Sequence, residues 1–186
     1  MNKIIAIIVA IISVNVFATE AKTINDGVET CLTFLEAKEG FRSTWYCDGC
    51  GKGISGPNAK CMRKSCKGKK TTPTIGHGLT KAYWTGGSIT PAQSRAIKRR
   101  IVRADAMAFV GAAKVDLNSN QIAALCSLAY RRGVAAVLRS KTWNEGVQKN
   151  NASAIRKEWA GFNTQGGIVR RGLVNRCNDE LNLFFK

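Results

Sequence analysis

Two segments of this chain, Glu39-Gly40-Phe41-Arg42-Ser43-Thr44-Trp45-Tyr46-Cys47-Asp48 and Pro73-Thr74-Ile75-Gly76-His77-Gly78-Leu79-Thr80, are joined by a cysteine-studded stretch. Upstream of the first, Val28, Cys31, Leu32 and Leu35 recur at i, i+3, i+4 and i+7, one face of a helix. The pattern predicts a helix from about Asp26 to Lys38, capped by Asn25 or Asp26 and stopped by Gly40. Glu39 therefore stands at a helix C-terminal end, where the backbone dipole is negative and disfavours a charged carboxylate. Trp45-Tyr46 and Thr74-Ile75 read as strands, and Gly and Asn punctuate the residues between them. A small β-rich lobe over about 41–82 follows, carrying Asp48 and Thr74.

A carboxylate at a helix end and a second one nine residues on, in a turn, are two acids in different surroundings. Cleavage of a glycosidic bond needs such a pair, one to donate a proton and one to handle water or the sugar cation. Glu39-Gly40-Phe41-Arg42, Tyr46, Asp48 and Thr74-Ile75-Gly76-His77-Gly78 closely resemble the phage-type lysozymes of glycoside hydrolase family 24. The likeness extends over roughly residues 25–185. It takes in Gln121 to Leu125, Tyr130, Gly133, Trp159, Gly166-Gly167, Gly172 to Arg176 and Glu180-Leu181. The resemblance implies an endo-muramidase that cuts the β-1,4 bond between N-acetylmuramic acid and N-acetylglucosamine by inversion. Glu39, Asp48 and Thr74 would be its catalytic residues, and Arg42, His77, Tyr130, Arg131 and Arg176 candidate sugar contacts. Three features depart from the family pattern. His77 stands two places earlier than the family histidine, Tyr130-Arg131-Arg132-Gly133 replaces Tyr-Asn-x-Gly, and Asp48 is pinched between Cys47 and Cys50.

The rest of the chain reads as helices. Thr90-Pro91-Ala92-Gln93 is a helix start with a Thr cap and a Gln three residues on. Ile97, Ile101, Ala104 and Ala108 form its expected apolar stripe, with Lys98, Arg99, Arg100 and Arg103 outward. The next helix, about Ser119 to Arg132, is apolar nearly all round and belongs at the centre of a lobe. Further helices are expected near 134–139, 142–149, 152–160 and 169–184. The fold class is α+β, a lysozyme-like arrangement of a small β-rich lobe and a larger all-helical lobe around a cleft. One catalytic domain over 19–186 carries a basic, Cys-rich insertion at 49–73.

Residues 1–18 read as a secretory signal peptide or signal-anchor, with Lys3 before an apolar run from Ile4 to Ala18. Export to a periplasm or the extracellular space is the expected location. The formal charge is +17, and residues 1–18 contribute only Lys3 to it. In an exported monomer that charge points to peptidoglycan and anionic envelope polymers rather than nucleic acid. A catalytically silent peptidoglycan-binding protein and a charge-driven membrane-active antimicrobial are the competing classes.

Seven cysteines in an exported chain read as a disulfide framework. Cys47, Cys50, Cys61 and Cys66 could hold zinc through four thiolates, or could form two disulfides stapling a loop with little apolar content. Export favours the disulfides, with Cys47 or Cys50 bridging to Cys61 or Cys66. Cys31 and Cys177, which the resemblance places in one lobe, are the third candidate pair, leaving Cys126 free. No cofactor and no metal are expected.

Overall fold

The first helix is longer than its periodicity predicts. In the computed structural model, which describes residues 19–67, 71–165 and 167–186, α1 spans Asn2–Glu39. Asn25 and Asp26 do not cap it. Asp26 instead pairs with Lys22 one turn earlier at 2.6 Å, and Asn25 accepts from Arg103. No Pro or Gly interrupts Thr19 to Asp26, so nothing stops the helix there. Gly40 ends it as expected, in the left-handed region at φ 64°. The leader reading of residues 1–18 lies outside the described residues. Among the described residues no helix is long and apolar enough to cross a membrane.

After α1 come β1 (Arg42–Cys47), β2 (Pro73–Gly76) and β3 (Leu79–Thr80), one antiparallel sheet in the order β1-β2-β3. Then follow α2 (Pro91–Ala112), α3 (Ser119–Arg132), α4 (Val134–Leu138) and α5 (Ala152–Trp159). A two-stranded hairpin, β4 (Thr164–Gln165) with β5 (Ile168–Val169), precedes the last helix, α6 (Arg171–Phe184). The architecture is α+β, mostly helical with a small antiparallel sheet, as the sequence predicts. The chain divides into two compact units, residues 32–101 and residues 1–31 with 102–186.

The sheet unit is built around one strand residue each from β1, β2 and β3 (Trp45, Ile75 and Leu79), packed with Ile89 and with Ile97 of α2. The Trp45 indole N–H donates to the Gly86 carbonyl at 2.7 Å, so the buried ring leaves no polar atom unsatisfied. Thr90 and Gln93 form the expected capping box, each side chain receiving the other's backbone N–H. The buried face of α2 differs from the expected stripe. It runs through Ser94, Ile97, Lys98, Val102, Ala106 and Phe109, while Ala104 and Ala108 are exposed. Lys98 therefore faces inward instead of lying with Arg99, Arg100 and Arg103.

The helical unit is centred on α3, whose residues from Ile122 to Ala129 are all buried. Asn118 and Gln121 close its first turn as a second capping box. Helix α1 approaches it closely at Gly27. A Cβ there would come within 2.9 Å of Ile122 and 3.0 Å of the Ser119 carbonyl. One turn further along each helix, Cys31 of α1 neighbours Cys126 of α3, whose thiol donates to the Val102 carbonyl at 3.7 Å. The expected partner, Cys177, lies elsewhere in the unit, where its sulfur accepts from Arg131 at 3.7 Å. Cys31 and Cys177 are thus not paired, because the helix packing at Gly27 gives Cys31 a different neighbour.

Candidate active site

Strand register places the chemistry on one edge of the sheet. Tyr46 stands opposite Thr74 and Cys47 opposite Pro73. The chain leaves β1 at Cys47 and turns, with Gly51 N–H donating to the Cys47 carbonyl at 2.7 Å. Asp48 opens this turn and its backbone N–H donates to the Thr72 carbonyl at 3.2 Å. The Asp48 carboxylate accepts the Thr72 N–H at 2.6 Å, and the Thr74 hydroxyl donates to the Thr72 carbonyl at 3.0 Å. The two side chains are therefore tied to the two backbone groups of one residue. The Thr74 hydroxyl hydrogen is used in this bond, while its oxygen keeps acceptor capacity. Thr74 is buried and Asp48 is exposed.

Glu39 is the last residue of α1 and is half-buried. Its charge is felt at the Tyr46 phenol, whose pKa burial raises first, Glu39 second and Asp48 to a lesser extent, with Arg42 opposing. The Arg42 guanidinium lies 5.2 Å from the centre of the Tyr46 ring. Tyr46 is thus a common neighbour of Glu39, Arg42 and Asp48, a role that neither its residue type nor its spacing announced.

His77 fills the tight turn between β2 and β3 and is buried. Its Nδ1 and its backbone N–H each lie 3.0 Å from the Ser94 hydroxyl. Its ring packs against Phe41 at 5.0 Å. Burial, and next the charge of Lys98, push its pKa below the ordinary value. Gly76 is required at this corner: it has φ 63°, and a Cβ would stand 2.5 Å from the Ser94 hydroxyl.

Arg131 and Arg176 lie in the helical unit, both gathered by Glu180. This carboxylate is fully buried and accepts from Arg131 at 2.7 Å, Arg176 at 3.2 Å, Ser127 at 2.8 Å and the Trp159 indole at 3.2 Å. Both guanidiniums are largely buried in this network. Tyr130 precedes Arg131 on α3 and is half-buried.

No disulfide joins the cysteines of the insertion. Cys47 and Cys66 have their sulfur atoms 3.6 Å apart, as do Cys50 and Cys61, well beyond the ~2.05 Å of a bond. The two expected bridges are therefore replaced by four thiols that meet at one point, all four sulfur atoms lying within 4.8 Å of one another.

Glu39 closing α1, followed by a small antiparallel sheet that holds Asp48 and Thr74, is the order of elements of a lysozyme-type architecture. The family model for phage lysozyme matches residues 36–180, and the chain belongs to that family. It is 34% identical over 124 residues to an endolysin of Bacillus phage PZA, a match covering 63% of this chain and 48% of the relative. The chain thus spans about half the length of that relative. The endolysin of Escherichia coli O157:H7 phage FAHEc1 shares the fold, with a TM-score of 0.64 at 23% identity over 84% of this chain and 91% of that one. A lysozyme mutant of phage P22 does likewise, with a TM-score of 0.59 at 24% identity over 84% and 95% of the two chains.

Proposed function

We propose that the chain is a peptidoglycan hydrolase of the endo-muramidase type, exported to act on the bacterial wall. In this reading it cleaves the β-1,4 bond between N-acetylmuramic acid and N-acetylglucosamine with inversion. Glu39 gives its proton to the leaving glycosidic oxygen. Asp48 takes a proton from a water molecule, whose oxygen attacks the anomeric carbon from the opposite face. Thr74 accepts a second hydrogen bond from that water and so aims it.

The observation that carries this reading is the attachment of Asp48 and Thr74 to the N–H and C=O of Thr72. Residues with complementary tasks, one accepting a proton and one orienting its donor, are held in fixed relation by backbone rather than by each other. Inversion requires the two carboxyl groups to stand about 6.5–9.5 Å apart, leaving room for the water.

The test is release of reducing sugar ends from purified peptidoglycan. A positioned general acid contributes ~10²–10⁴-fold, so Glu39→Gln should lose at least two orders of magnitude while the far-ultraviolet dichroism stays unchanged. Full activity in Glu39→Gln would remove Glu39 from the mechanism. A folded wild-type protein that releases no reducing ends would sink the muramidase reading itself.

A further inference from the structure

We propose that Cys47, Cys50, Cys61 and Cys66 bind one structural zinc ion as four thiolates, closing the insertion and fixing the turn that carries Asp48. Two disulfides would need only two short sulfur–sulfur distances, with no relation between one pair and the other. A tetrahedral metal needs all six to be short. Here all six are within 4.8 Å, and the two pairs that face each other directly stand at 3.6 Å. Zinc–sulfur bonds of about 2.3 Å at tetrahedral angles set edges of about 3.8 Å, so the thiols stand close to where the metal would hold them.

The surrounding backbone fits thiolates as well. The amide groups of Gly49 and Cys50 point at the Cys47 sulfur, and that of Arg63 points at the Cys61 sulfur. Each is a donor two or three residues past a ligand, and such N–H groups stabilise negative sulfur. Gly49 is needed for this turn, because a Cβ would stand 2.7 Å from the Thr71 methyl group. Four thiolates on Zn²⁺ carry a net charge of −2. The exposed Lys52, Lys60, Arg63, Lys64 and Lys67 lie on the same insertion and offset it. The segment also lacks the means to order itself otherwise, since its apolar side chains between the cysteines are few and Met62 is 90% exposed.

Binding exchanges four thiol protons for one Zn²⁺, with no change of oxidation state. The consequence for Asp48, which lies between two of the ligands, rests on the catalytic reading above. The site itself does not.

The experiment is metal analysis of the full chain purified without chelator, paired with intact mass under non-reducing, denaturing conditions. One zinc per chain is expected, released by a mercurial thiol reagent into a colorimetric zinc indicator. Cobalt exchange should give the strong thiolate-to-metal absorption of a tetrahedral four-sulfur site. Cys61→Ser and Cys66→Ser should each lose the metal and expose the insertion to proteolysis, whereas Cys126→Ser should keep it. A metal-free protein four hydrogen masses lighter than its reduced form would overturn the proposal in favour of two disulfides. So would stoichiometric zinc retained in the Cys61→Ser, Cys66→Ser double variant. Zinc bound by a chain inactive on peptidoglycan would leave the site standing and remove only the catalytic reading.

Discussion

Asp105 lies on α2 between the buried Val102 and Phe109, and burial alone pushes its carboxyl up from 3.8 to about 6. The folded chain therefore holds this proton more tightly than the unfolded chain does. Below 3.8 both states are protonated and the group has no effect on stability. As the pH rises from 3.8 through about 6 the unfolded state ionises first, and folding loses free energy throughout that window. Above it the cost is constant. Asp105→Asn should therefore raise Tm at pH 7, with the gain vanishing near pH 4. Melting curves of both proteins at the two pH values check this, and equal gains would show that the carboxyl is not strained. Such a residue is hard to find in sequence, where an Asp among Arg103, Ala104 and Ala106 looks like one more charge on a solvated face. The same limit hid Lys98. Its neighbours Arg99 and Arg100 are exposed, and only the packing of α2 turns it inward.

Elements were legible wherever a terminus carried its own chemistry. Thr90 with Gln93 and Asn118 with Gln121 marked two helix starts that the structure keeps, because the capping bonds are local. The start of α1 differs from the expected cap for the converse reason: Asp26 has a competing local partner in Lys22, and helix propagation wins. The hairpin of β4 and β5 leaves no mark in the sequence because two-residue strands are too short to show a period. Among the candidate site residues, Glu39, Asp48 and Thr74 sit in one unit because strand pairing follows directly from Trp45-Tyr46 and Thr74-Ile75. Arg131 and Arg176 are candidate sugar contacts on the resemblance alone, and what the sequence does not show is that one buried carboxylate, Glu180 on α6, binds both. Glu180→Gln tests that link. It leaves two guanidiniums largely buried without their counter-charge, which costs about 3–5 kcal/mol. For a chain of this length the loss lowers Tm by roughly 6–20 °C, measurable by calorimetry. A change within error would mean that Ser127 and the Phe162 carbonyl suffice to hold Arg131 and Arg176.

At the scale of the whole molecule the governing quantity is charge, 29 Lys and Arg against 12 Asp and Glu. It is spread over both halves of the sequence, with exposed clusters on the insertion (Lys60, Arg63, Lys64, Lys67) and on α2 (Arg99, Arg100, Arg103). Isolated pairs at such surfaces contribute little to stability, so the excess has to be understood through what it attracts. For the proposed wall substrate, whose peptide and polymer carboxylates and phosphates are anionic, the field raises the local concentration of enzyme without contributing to bond cleavage. Its range is a Debye length, about 10 Å at 0.1 M salt and about 3 Å at 1 M. Binding to purified cell walls should therefore fall several-fold across that range, while the rate on a short, uncharged glycan fragment stays nearly level. Replacing Lys60, Arg63, Lys64 and Lys67 by Gln should remove part of the salt dependence, and should leave the rate on the uncharged fragment unchanged because these side chains lie outside Glu39, Asp48 and Thr74. Co-sedimentation with cell walls at the two salt concentrations, for the wild type and the fourfold variant, measures both effects. Salt-independent sedimentation of the wild type would show that the wall is held by shape and hydrogen bonding, leaving the positive charge to some other partner.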